Sequence, residues 1–230
     1  MILKILGMTM VVLLLSGCGV AKLAPMKKNI QSELGTIDTT LIIQQSNLDI
    51  SVTNTDASSA GLLGVLVGAI IDSARRSSAE EEGLPLLESL KDYDFREVML
   101  SETTSSFSKL KNVNINVPIK VDEIGSTLSL RMGYDKITSN ALLLCNISYK
   151  MVSGNLITTL HASLYPKAEK LKQLNSKYDE SNPLADENVL YNNKFTFVKE
   201  GITSDNIINA LNEAANNLAI QLSSDIDYGI

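Results

Sequence analysis

The 230-residue chain carries one histidine, His161, and two cysteines, Cys18 and Cys145. A Cys–His pair can make an activated nucleophile, the thiolate attacking while the imidazole holds the proton. Cys145 and His161 flank the dipeptide Ser153-Gly154, which fits a two-residue hairpin turn. That turn pairs Met151 with Leu156, Tyr149 with Thr158, Ile147 with Leu160, Cys145 with Ala162 and Leu143 with Leu164. Side chains alternate faces along a strand, so Cys145 falls on the apolar face and His161, opposite Asn146, on the other. The expectation is a core cysteine and a surface histidine. With a single histidine, HExxH and other His-rich zinc sites lack ligands, and neither GxSxG nor GxxxxGK[ST] occurs. Asp92 and Asp94 form a carboxylate pair of the kind used in acid–base work, but a place beside a helix break assigns them to solvent. The sequence therefore predicts a non-enzyme, with no catalytic residue, metal or cofactor.

What remains for chemistry is binding. Thr159, His161 and Ser163 alternate with apolar neighbours, which puts them together on the polar face of the hairpin. A long irregular connection, residues 166–187, follows that hairpin and is a candidate binding loop. The chain is acidic, with 26 Asp and Glu against 20 Lys and Arg, which argues against a nucleic-acid partner.

Cys18 has a different setting. It follows the aliphatic run Ile5 to Leu15, with Lys4 as the preceding cation. Eleven helical residues reach only about 16 Å, too short for a bilayer core of roughly 30 Å, so the run reads as a secretory signal. Leu15-Ser16-Gly17-Cys18 resembles the lipobox of bacterial lipoproteins. The resemblance implies cleavage after residue 17 and acylation of Cys18, and Gly19 after the cysteine is compatible with sorting to the outer membrane. Cys145 is then the remaining thiol, with no partner for an internal disulfide. Residues 18–38, which contain Pro25 and Gly35, read as a lipidated N-terminus and tether.

A single domain is expected over residues 39–230. "TTLIIQQS" and "LDISVTN" start it with strand signals. Val113, Ile115, Val117, Ile119 and Val121 then share a face, as do Leu128, Leu130 and Met132, so a hairpin is predicted across residues 122–125. Pro118 makes its first strand an edge or a bulged strand. "VLYNNKFTFV" adds a strand with Tyr191, Phe195 and Phe197 on one face. Helices are predicted over residues 60–82, over 85–110 with a break near Asp92 to Asp94, and after Thr203 or Ser204. The last has Ile207, Ile208, Leu211, Ala215, Leu218, Ala219 and Leu222 on its core side. The sum is an α+β fold, a largely antiparallel sheet of about five meandering strands plus N-terminal strands, packed against helices.

The segment "AGLLGVLVGAIIDSARRSSAEEEGLPLLESLKDYDFR" is similar to one found in an uncharacterised lipoprotein family of Gram-negative bacteria, with a glycine-rich apolar helix, a charged stretch and then Asp92-Tyr93-Asp94-Phe95. That resemblance implies no activity. The architecture also resembles the periplasmic α/β domains of the curli secretion lipoprotein and of lipoprotein activators of cell-wall synthases, with no motif in common. The function expected is an outer-membrane-anchored periplasmic module that binds an envelope protein or polymer. The alternative is a membrane-active or self-assembling component, a homo-oligomer built through Ala60, Gly64 and Gly68, which lie at four-residue spacing on one helix face.

Overall fold

The computed structural model describes residues 23–43, 49–51, 83–121 and 127–228. The signal segment, Cys18 and the helix expected over residues 60–82 lie outside them.

The described chain begins docked. Ala24 pairs with Asn192, and helix α1, Lys28–Leu34, follows. Ile30 and Leu34, four residues apart, bury one face of it, and Met26, just ahead of the helix, is buried as well. Gly35 stops the helix at φ +59°, where an added Cβ would come within 2.6 Å of Asn140 Nδ2. Strand β1, Thr36–Ile43, starts immediately afterwards. The tether expected over residues 18–38 is corrected from Ala24 onwards, because that stretch contributes a helix, a strand and Met26, which is 0% exposed.

The remaining strands are β2 (Asp49–Ser51), β3 (Asn114–Ile115), β4 (Ile119–Val121), β5 (Ala141–Val152), β6 (Asn155–Pro166) and β7 (Tyr191–Lys199). They form one sheet in the order β3-β1-β5-β6-β7, with β4 also on β1 and β2 on β5. The β5-β6-β7 ladders are antiparallel, and β1 joins β5 in parallel. The fold is thus α+β with a largely antiparallel sheet, as expected. The β5–β6 register is the predicted one, pair for pair from Leu143↔Leu164 to Met151↔Leu156. Its turn holds Ser153 at φ +50° and Gly154 at φ +77°, the two positive values that a tight primed turn requires.

The hairpin expected over residues 113–132 does not form. Its first half pairs with β1 in parallel, Thr36 with Asn114 and Ile37 with Ile115, then Thr40 with Ile119. Three residues, Asn116 to Pro118, thus oppose Asp38 and Thr39. This is a bulge on an edge strand, holding a proline that has no N–H to donate. The extra residue breaks the alternation: Val113 is buried, while Val117 is 75% and Ile119 62% exposed. Its second half is helix α3, Thr127–Lys136.

Helix α2, Phe95–Phe107, and helix α5, Ile207–Tyr228, pack on each other and cover the apolar face of the sheet. A short helical stretch over residues 83–89 precedes α2. The break falls where predicted, and Asp94 caps α2 through the Arg96 N–H at 3.0 Å. Along α5, Ile207, Leu211, Leu218 and Leu222 are fully buried, each worth about 1.5–3 kcal/mol against exposure. Ile208, expected on that face, is 36% exposed, and Ala210, Ala214 and Ile226 are buried in the core row. The end of α5 is tied down on two sides. Gln31 Nε2 donates to the Ile226 carbonyl at 3.0 Å, and Asp227 Oδ1 accepts from the Lys111 and Asn112 N–H groups at 3.1 Å each.

Candidate functional site

The face of the sheet turned away from α2 and α5 is polar along β6, while on β1 and β5 it also carries buried Ile42 and Leu142. On β6 the residues Thr159, His161 and Ser163 face this side, half-buried, in the predicted alternation. The ladder sets Ser148, Asn146 and Leu144 beside them on β5 and Thr196, Lys194 and Asn192 on β7. The structure therefore brings the three predicted binding residues together and adds a cationic margin from exposed Lys194. Sequence reasoning missed Asn146, Ser148, Lys194 and Thr196. The signal was present, because if Tyr191, Phe195 and Phe197 point inward, Asn192, Lys194 and Thr196 must point outward.

The Pro166 end of this face is closed by a second apolar cluster, Tyr134 from α3 with Leu142 and Tyr165, flanked by Ile137, Leu144, Leu184 and Val189. Tyr134 Oη donates to the Pro166 carbonyl. Lys167 Nζ donates to the Tyr134 carbonyl at 3.1 Å and sits 4.6 Å from the ring centroid of the same residue. Burial pushes the Tyr165 phenol up to about 12, with Asp186 adding to the rise.

The connection from residue 166 to 187 is not an open loop. It contains helix α4, Glu169–Lys172, and a 3₁₀ turn, Asp186–Asn188. Asn188 is 0% exposed and stitches it together. Its Oδ1 accepts the Asp179 N–H at 2.7 Å, and its Nδ2 donates to the carbonyls of Asp179 at 2.8 Å and Asn182 at 3.0 Å. Lys172 Nζ bridges Glu169 at 2.7 Å and Glu180 at 3.0 Å. The Glu169 hydrogen bond leads in holding that ammonium above its ordinary pKa.

His161 sits between Asn146 on one side and Lys194 on the other. Burial first, then the Lys194 charge, holds its pKa below that of an ordinary imidazole, which favours the neutral ring. Neither cross-strand neighbour is a carboxylate that would orient it as a base. Cys145 is 0% exposed on the opposite face, against Ala162, with its thiol pushed up by burial. The register thus keeps Cys145 and His161 apart. Asp94 is equally committed, its two oxygens held by Arg96 Nε at 2.9 Å and Nη2 at 2.8 Å. What the polar face offers is hydroxyl, imidazole, amide and ammonium groups in a row, a set of hydrogen-bond donors and acceptors.

Among the described residues there is no group of three or more His, Cys, Asp or Glu that could hold a metal ion, and no helix long and apolar enough to cross a membrane. Cys18 and the Ala60, Gly64 and Gly68 face lie outside those residues.

No family model matches the chain, and no curated protein does. Among solved structures it is similar to an uncharacterised protein, with a TM-score of 0.39 and 6% identity over 89% of this chain and 96% of that one. A Xanthomonas campestris protein of the family DUF330 gives a TM-score of 0.38 with 10% identity, covering 88% of each chain. A PelC variant from Paraburkholderia phytofirmans, crystallised as a dodecamer, gives 0.34 with 12% identity, covering 84% of this chain and 91% of that one. At these scores nothing is carried over from them.

Proposed function

We propose that the chain is an outer-membrane-anchored periplasmic lipoprotein, acylated at Cys18, that works as a non-enzymatic interaction module of the cell envelope. Its contact surface is the polar face bearing Thr159, His161 and Ser163, and its partner is an envelope protein or polymer. One observation carries this reading. The sheet's other face is closed by α2 and α5, while this face is walled at one end by α3 and a structured connection and left polar and half-open along β6. A surface of that kind presents fixed donors and acceptors on strands, where their spacing is rigid.

The test is photocrosslinking in intact cells. A photoreactive residue at Thr159 is expected to capture one defined envelope component, and the same residue at exposed Asn217 on α5 is not. His161→Glu in the Thr159 probe background is expected to abolish the adduct while thermal unfolding remains cooperative. A ladder of self-adducts, or equal capture at both positions, would remove the module reading in favour of assembly. Acylation is tested separately. Cys18→Ser is expected to leave uncleaved, unacylated precursor, read by mass spectrometry of the N-terminus.

A further inference from the structure

We infer that the domain has a second contact surface whose partner is the lipid headgroup layer itself, formed by Leu23, Lys27 and Lys28 before and at the start of α1 and by the beginning of β7. The inference rests on acylation of Cys18. It follows from where the chain becomes fixed. Ala24 and Asn192 exchange both backbone hydrogen bonds, Ala24 N–H to the Asn192 carbonyl and Asn192 N–H to the Ala24 carbonyl, each at 2.8 Å. Two residues further on, Met26 is 0% exposed in the core. From Cys18 to Ala24 there are six residue steps, which reach at most about 21 Å when fully extended.

The sheet is longer than that. Strand β6 has 12 residues, Asn155–Pro166, and about 3.3 Å per residue makes it roughly 40 Å long. Asn192 lies beside Ser163, at the Pro166 end of the sheet, whereas Glu200 follows β7 at the Ser153-Gly154 end. A lipid on Cys18 thus holds the first end against the bilayer and leaves the second end pointing into the periplasm. The residues at the attachment point suit a headgroup layer. Leu23 is 58% exposed, and Lys27 and Lys28 are both exposed beside it. Exposed Asp186 and Glu187 precede β7 and disfavour an anionic surface, which tilts the contact towards the α1 side. The partner of the polar face then has to be reachable from the membrane surface.

The experiment uses the acylated full chain in vesicles of phosphatidylethanolamine and phosphatidylglycerol that contain headgroup-spin-labelled lipid. A fluorophore is placed on Lys27→Cys or on Glu200→Cys, both exposed positions. Cys18 is consumed by the acyl group and Cys145 is buried, so the introduced thiol takes the label. The Lys27 probe is expected to lose most of its emission and the Glu200 probe to keep it. Equal loss at the two positions, or greater loss at Glu200, overturns the orientation. Mass spectrometry of the same sample separates the two failures. An unacylated Cys18 in natively produced protein refutes the lipoprotein reading, and with it this inference. An acylated chain with an unquenched Lys27 probe refutes the orientation alone.

Discussion

Asn188 is the side chain that decides whether the connection between β6 and β7 is structure or filler. Asn188→Ala deletes one accepted and two donated hydrogen bonds, to the Asp179 N–H and to the carbonyls of Asp179 and Asn182. Each such bond contributes about 1 kcal/mol net, and a partner left dry and unpaired costs more. The site is fully buried but lies in a surface connection, so local opening lets water reach some of the orphaned groups. The expected loss is about 2–4 kcal/mol, a substantial part of the roughly 5–15 kcal/mol that holds a domain folded. In urea, with a slope of about 2 kcal/mol/M, the midpoint should fall by roughly 1–2 M. Asn188→Asp is the sharper variant. It keeps the acceptor for Asp179 N–H but turns an oxygen towards two carbonyls, so near neutral pH it should be at least as damaging as alanine. A stability for Asn188→Ala within about 0.5 kcal/mol of wild type would refute the reasoning and make the connection a solvated insertion.

Two further outcomes follow from the hairpin register. Native Cys145 should react with a thiol reagent far more slowly than the denatured chain, and Cys145→Ala should lower stability by about 1 kcal/mol through lost packing; fast native labelling would contradict its burial. His161 has its folded pKa below the unfolded value of about 6.5, so the unfolded chain binds the extra proton and stability should fall as pH drops through that value, levelling off below the folded pKa. His161→Gln should remove that component of the pH dependence, and identical pH–stability curves for the two proteins would show that the imidazole is not desolvated in the fold.

The β5–β6 hairpin was legible because its information is local. A period of two on both sides of a dipeptide suited to a primed turn leaves one register that keeps the apolar side chains together. The same logic failed at Leu128, Leu130 and Met132. Spacing by two over five residues fits a strand, but α3 is anchored through Tyr134 and the Lys167 contacts, which come from a distant part of the chain. In the Val113 to Val121 stretch the strand itself was readable, and Pro118 rightly marked an edge and a bulge. Its partner β1, parallel and far back in sequence, left no local trace. Helix α1 carries local signals of its own. Pro25 and Gly35 suit a tether, yet Gly35 is a helix stop, and Ile30 and Leu34 trace the buried face of that helix, with Met26 buried just ahead of it. Of the candidate site, the three β6 residues were legible from parity, whereas the wall beside them depends on long-range contacts that no window of sequence contains.

The central place of β1 also dictates when this domain can exist. Its neighbours in the sheet arrive late, since Thr36 waits for Asn114 and Ile37 for Ala141. A chain that emerges from its N-terminus carries Leu41, Ile42 and Ile43, all buried in the end, and the strands that pair with them come only after the chain has passed its midpoint. Closing such long intervals is entropically slow, and parallel pairing delays it further. The sheet is therefore completed only by the second half of the chain, and until then an apolar strand lies without its sheet neighbours, the kind of segment that a holding chaperone covers.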